Sequence, residues 1–159
     1  MDKLLKALKN NARMSVENLA VLCGITPAEV AAKIDEYEKN GTVKGYRAVL
    51  ADDFSDVNSV TAFIEVKITP KAEEGFDELA KTIMSFEEVD SVTLMAGSFD
   101  LAVTLSGTNY KEVALFVARR LSTLDGVVST STHFVLKRYK DSGFVIEGEN
   151  ADERGLISP

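Results

Sequence analysis

Two short stretches of this chain hold residue types at spacings that could do chemistry. The first is Thr26-Pro27-Ala28-Glu29, with Ala32 and Lys33 one turn further on. On the first turns of a helix lying in the major groove, threonine or alanine can meet a thymine methyl, glutamate can accept from cytosine, and lysine can reach guanine. Thr26, Ala28, Glu29, Ala32 and Lys33 are therefore the base-edge candidates. Arg13, Lys44 and Arg47 flank this stretch and suit phosphate. A plainer reading stands beside each. A threonine and a glutamate three residues apart close a capping box, and an exposed lysine can be a solvated charge. The second stretch is Gly97-Ser98-Phe99-Asp100. A glycine-containing turn exposes N–H groups to a carboxylate, and Asp100 can take an ammonium, so an α-amino acid would find both charges matched. The plainer reading is a hairpin turn with Asp100 as a local acceptor. Thr130, Ser131 and Thr132 could line the same interface in a neighbouring copy, although alternating hydroxyls also simply suit a strand.

Enzyme chemistry finds little support. His133 is the only histidine and Cys23 the only cysteine. No glycine-rich phosphate loop, metal-ligand cluster or Ser/His/Asp arrangement is visible, so no catalytic residue, metal or cofactor is expected. A single cysteine forbids an intramolecular disulfide, which fits a reducing compartment. There is no signal pattern and no apolar run of membrane length; a cytoplasmic location with no membrane contact is expected. The chain has 159 residues and a net charge of −7. Residues 1–50 carry 8 Lys/Arg against 6 Asp/Glu, residues 51–138 carry 8 against 14, and residues 139–159 carry 2 against 5. Only the first third is positive, and only slightly. A single copy would hold DNA weakly, because phosphate neutralisation supplies much of the affinity. Several copies of the first third acting together would hold it better.

The elements that position these residues follow from capping and periodicity. Met1 to Ala12 reads as a helix with Leu4, Leu5, Leu8 and Ala12 on one face. Ser15 caps a second helix, and Gly24 allows a sharp turn. Thr26 caps a third, with Pro27 at its first position and Glu29 completing the box. Val30, Ile34 and Tyr37 form its apolar stripe, and Asn40-Gly41 ends it. Two short helices around a glycine-containing turn match a helix-turn-helix DNA reader, or alternatively one corner of an ordinary helical core. Residues 42–50 suggest an extended ribbon, which would complete a winged-type helix-turn-helix domain over 1–50. Residues 51–59 read as a polar linker.

From Val60 the period becomes two. Strands are expected at 60–68, 89–96, 100–106 and 127–137, with amphipathic helices at 73–86 and 110–124. That order, β-α-β-β-α-β, is the ferredoxin-like pattern of an α+β domain over 60–139. Its helices cover one sheet face. Phe63, Val92, Leu94 and Leu105 are candidates to line the other, where association is the simplest outcome. Residues 140–159 read as an acidic tail.

Taken together, the two modules resemble the leucine-responsive/asparagine-regulator (Lrp/AsnC, feast/famine) family of prokaryotic transcription regulators. The resemblance runs through Asp2-Lys3-Leu4-Leu5, Asn11 to Ser15, Leu19-Ala20, Ile25-Thr26-Pro27, Val30, Lys33-Ile34 and Asn40 to Ala48. It resumes at Val92 to Asp100, Leu124 to Val127 and Thr130-Ser131-Thr132. It implies double-stranded DNA as partner, a homodimer assembling further, such as into an octamer, and a RAM-type effector domain binding an amino acid near subunit interfaces. The family often has a basic residue where Lys33 stands, and more beyond it; here Glu29, Asp35, Glu36 and Glu38 stand against Lys33 and Lys39. Two alternatives therefore stay open. One is a metabolite-sensing assembly protein whose reader does not function. The other is a tetrapyrrole-decarboxylase-like enzyme of the same layout, which would need additional His and Arg residues not found here.

Overall fold

A computed structural model describes residues 2–50, 59–69 and 75–146. The expected linker lies outside them, apart from Ser59. The chain divides into two compact units, residues 1–48 and 49–159.

In the first unit, α1 (Lys3–Asn10) starts where Asp2 Oδ1 accepts the Leu4 N–H at 3.0 Å. It is shorter than the periodicity predicts, because Asn11 is already extended. Ala7, not Ala12, joins Leu4 and Leu8 in its buried stripe. Next, α2 (Val16–Cys23) is capped by Ser15, whose hydroxyl accepts from the Asn18 N–H at 3.2 Å, and ends at left-handed Gly24. The capping box that opens α3 (Pro27–Lys39) is complete. Leu4, Ala7, Leu8, Leu19, Ala20 and Val30 form the core, with Ile34 and Tyr37 packed against it. Each fully buried leucine or valine of this core stabilises by about 1.5–3 kcal/mol.

The expected ribbon at 42–50 forms no strand. Its start is folded back onto α3. Gly41 takes φ 73°, which a side chain would resist, and this lets Val43 N–H donate to the Tyr37 carbonyl at 2.9 Å. The Tyr46 hydroxyl then donates to Glu38 at 2.9 Å. With Val43 and Tyr46 held against the end of α3, this segment meets no strand among the described residues of its unit, and no ladder forms.

The second unit places β1 (Val60–Ile68), α4 (Gly75–Met84), β2 (Val89–Leu94), β3 (Leu101–Gly107), α5 (Tyr110–Phe116) and β4 (Val127–Phe134) in the expected order. The sheet is antiparallel with strand order β2-β3-β1-β4. Ala62, Ile64, Val66 and Ile68 face inward and are buried, together with Leu101, Val103 and Leu105 of β3. Leu79 and Ile83 of α4 and Val113 and Phe116 of α5 cover them. The last turn of α5 widens into a π-helix over Val117–Leu121, where Ser122 N–H reaches back to the Val117 carbonyl at 2.8 Å. The widening buries both Val117 and Leu121 and sets Arg120 over Phe86, 4.4 Å from its ring centre.

Register corrects the expected open face. Leu105 pairs with Ala62, Val92 with Val103, and Leu94 with Leu101. Directly paired residues share a face, so these three lie on the side that carries the helices, although Leu94, on the edge strand, stays 60% exposed. Only Phe63 of the four belongs to the open side, beside Glu65, Thr104, Ser131 and His133. The strands also end earlier than their apolar runs, since β2 stops at Leu94 and β4 at Phe134. Asp100 therefore sits in the connection before β3 rather than in a strand. The start of the expected tail is ordered. Strands β5 (Lys140–Asp141) and β6 (Phe144–Val145) pair across Ser142-Gly143. Both turn residues have positive φ, 50° and 93°, as a primed two-residue turn requires. Residues 147–159 lie outside the described residues.

Candidate DNA-reading and effector surfaces

The N-terminal turns of α3 are solvent-exposed at Thr26, Ala28, Glu29, Ala32 and Lys33. Two of these five are already engaged with each other. Glu29 Oε2 accepts the Thr26 N–H at 2.7 Å and the Thr26 hydroxyl at 2.8 Å. The Glu29 N–H donates back to Thr26 Oγ1 at 3.3 Å. These bonds, the Thr26 N–H first, hold the Glu29 carboxyl below its ordinary range, so it stays ionised and occupied. The box thus favours the plainer reading of Thr26 and Glu29. Ala28, Ala32 and Lys33 are left with side chains turned outward on the same end of the helix. Lys33 Nζ lies 3.9 Å from Asp2 Oδ2, which also accepts the Tyr37 hydroxyl. Further along α3, Lys39 pairs with Asp35 at 3.7 Å.

The flanking cations are not equivalent. Lys44 and Arg47 line a cleft of about 440 Å³ together with Lys9 of α1, over a floor that includes Leu5 and Val43. Lys9 was not singled out from the sequence. Its helix repeats lysine every third residue, at Lys3, Lys6 and Lys9, and only the fold-back of residues 42–47 shows which one joins the others. Arg13 lies apart from this cleft, in the exposed turn before α2.

In the second unit, Gly97 and Ser98 are exposed, while Phe99 and Asp100 are half-buried. Asp100 ties this connection to the central strand. Its Oδ2 accepts the Ile68 N–H at 2.8 Å, its own N–H donates to the Val66 carbonyl at 3.0 Å, and its carbonyl accepts from Met95 N–H at 2.8 Å. These bonds continue the β1 ladder beyond β3, so one carboxylate oxygen has a backbone role. Phe99 stacks edge-on against Phe63, ring centres 6.1 Å apart, and Phe63 is as close to the His133 ring. His133 Nε2 lies 3.3 Å from the Ser131 hydroxyl and 3.5 Å from Glu65 Oε1. The connection and the open face are therefore one continuous surface.

The three expected hydroxyls do not share it. Thr130 pairs with Val66 and Thr132 with Ile64, both inward-facing, whereas Ser131 pairs with Glu65. Thr130 is further engaged with the Ser122 hydroxyl at 3.0 Å. A strand alternates its faces, so neighbours in sequence cannot line one surface together.

Comparison with known proteins decides what these surfaces belong to. Residues 61–145 match the Lrp/AsnC ligand-binding domain, and residues 3–44 match a winged helix-turn-helix DNA-binding domain. An uncharacterized HTH-type transcriptional regulator of Bacillus subtilis, YugG, is 45% identical over 99% of this chain and 95% of its own length. The chain belongs to the Lrp/AsnC family. It is a DNA-binding transcriptional regulator with a ligand-binding domain, in a family of regulators rather than enzymes. The leucine-responsive regulatory protein of Haemophilus influenzae is 26% identical over 91% of this chain and 86% of its own. A Neisseria meningitidis transcriptional regulator, solved in complex with L-methionine, is 27% identical. It covers 87% of this chain and 89% of its own, with a TM-score of 0.67. The Lrp/AsnC assignment explains why a helical reader and a ferredoxin-like sheet share one chain.

Proposed function

We propose that this Lrp/AsnC regulator reads double-stranded DNA with the N-terminal turns of α3, as a homodimer that can assemble further in the cytoplasm, and that an amino acid adjusts its binding. The observation that carries the reading is the exposed, fully capped start of α3 with Ala28, Ala32 and Lys33 outward. Ala28 and Ala32 suit thymine methyls and Lys33 suits guanine, while the box withdraws Glu29 from contact with cytosine. Lys9, Lys44 and Arg47 around one cleft suit a backbone phosphate, with Arg13 as a separate contact. The Neisseria relative's L-methionine supports an amino-acid effector. The surface around Gly97, Ser98, Phe99, Asp100 and Ser131 is the place proposed for it.

Affinity for the duplex upstream of the protein's own gene is expected to exceed that for random duplex and to fall steeply with salt. Arg47→Ala should weaken binding to both duplexes alike, as loss of a phosphate contact does. Fluorescence anisotropy over a salt series checks both. Equal affinity for the two duplexes at every salt concentration would remove sequence-specific reading.

A further inference from the structure

We infer that Asp2 is a specificity-determining residue of the DNA reader, acting through Lys33; this rests on the reading that the start of α3 meets DNA. Asp2 precedes α1 and belongs to no reader helix, yet its carboxylate is placed against one. Oδ1 accepts the Leu4 N–H at 3.0 Å, which fixes it as the cap of α1. Oδ2 accepts the Tyr37 hydroxyl and lies 3.9 Å from Lys33 Nζ. Tyr37 and Lys33 are one turn apart on α3, so both reach the same oxygen. The carboxylate is held from two sides and cannot follow Lys33 outward. Lys33 is one of only two cations on α3, and the other, Lys39, is paired with Asp35.

The consequence is electrostatic. Lys33 and Asp2 present a neutral pair rather than a free positive charge. A phosphate approaching the ammonium also approaches the fixed carboxylate and is repelled by it. A guanine edge offers neutral acceptors and meets no such repulsion. Both side chains are exposed, so the pair is weak and yields to a well-placed acceptor. Asp2 thus lowers the attraction of Lys33 for DNA in general while leaving its use on a base.

Asp2→Asn tests this, because asparagine caps a helix as well as aspartate: its Oδ1 can still accept from the Leu4 N–H, and its amide nitrogen, standing where Oδ2 stood, can donate to the Tyr37 hydroxyl oxygen. Asp2→Ser is a second uncharged cap, and circular dichroism verifies the fold of each. The full-length chain is titrated against a random-sequence duplex over a salt series. Both variants should bind it about two- to fivefold tighter than wild type. The slope of log affinity against log salt should steepen by about 0.9, the signature of one more neutralised phosphate. Neither change should occur when Lys33→Met is added. Unchanged affinity and slope in both caps overturn the inference, and so does a gain that survives Lys33→Met, since Asp2 would then act only as bulk charge. Failure of the wild type to bind any duplex at low salt overturns the DNA reading itself, and this inference with it.

Discussion

At the scale of single residues, the sequence supplies chemistry but not which of two partners a side chain takes. Asp100 shows this. Its position beside a glycine-containing turn suits an ammonium ligand, but the fold brings the end of β1 within 2.8 Å of it, through a contact 32 residues away in sequence. No local pattern announces that contact. Asp100→Ala should leave the half-buried Ile68 N–H without its acceptor and destabilise the second unit by about 1–3 kcal/mol in denaturant unfolding. Asp100→Asn should restore most of this, since its amide oxygen can accept the same bond. An alanine variant as stable as wild type would return Asp100 to a purely ligand-binding role. Glu29, by contrast, is legible, because both halves of its box lie within four residues. Its carboxyl is held below the ordinary value of 4.5 by the Thr26 N–H and hydroxyl. A depressed folded pKa gives stability that is present above the unfolded value and lost as pH falls through the folded one. Wild type should therefore melt above Glu29→Gln at neutral pH, and the gap should close well below pH 4.5. Thermal melts at the two extremes measure it; a gap that persists in acid would mean that ionisation contributes nothing.

At the scale of elements, what is legible is what is encoded locally. Caps at Ser15, Thr26 and Gly41 and the alternation of Ala62, Ile64, Val66 and Ile68 place helices and strands within a few residues of where they form. Pairing partners are not encoded locally. Residues 42–50 therefore form no ladder among the described residues, and Leu105 lies under the helices because its register with Ala62 puts it there. The β5–β6 hairpin is the opposite case. Asp141-Ser142-Gly143 is a turn signal short enough to read, but an acidic, glycine-containing context hides it. Gly143 holds φ 93°, which a β-branched side chain strongly disfavours. Gly143→Val should open this hairpin, seen as faster amide exchange at Ile146, whose N–H donates to the Tyr139 carbonyl at 3.0 Å. Unchanged exchange there would show that the turn does not hold the pair.

At the scale of the whole molecule, net charge and the open sheet face of the second unit point to assembly. A chain of net charge −7 whose first 50 residues are barely positive gains DNA affinity by presenting two readers at once. The second unit offers a means. Its helices bury one sheet face, while the other keeps Phe63 and Phe99 in contact, with His133 Nε2 lying 3.5 Å from Glu65 Oε1 beside them. An aromatic centre with a polar rim is the composition of an interface core rather than of solvated surface. Covering it with the same face of a second copy is self-complementary, as a two-fold dimer requires. Phe63→Glu sets a carboxylate in that centre, close to Glu65 on the same strand. The variant should keep its circular dichroism spectrum, because Phe63 contributes nothing to the helix-covered core. In light scattering it should approach the 17.3 kDa of a single chain, where wild type is expected to show at least twice that mass. Affinity for duplex DNA should fall with it, by the factor that losing a second reader implies. A folded Phe63→Glu protein that keeps the wild-type mass would place the interface elsewhere, and the open sheet face would then be free for the effector alone.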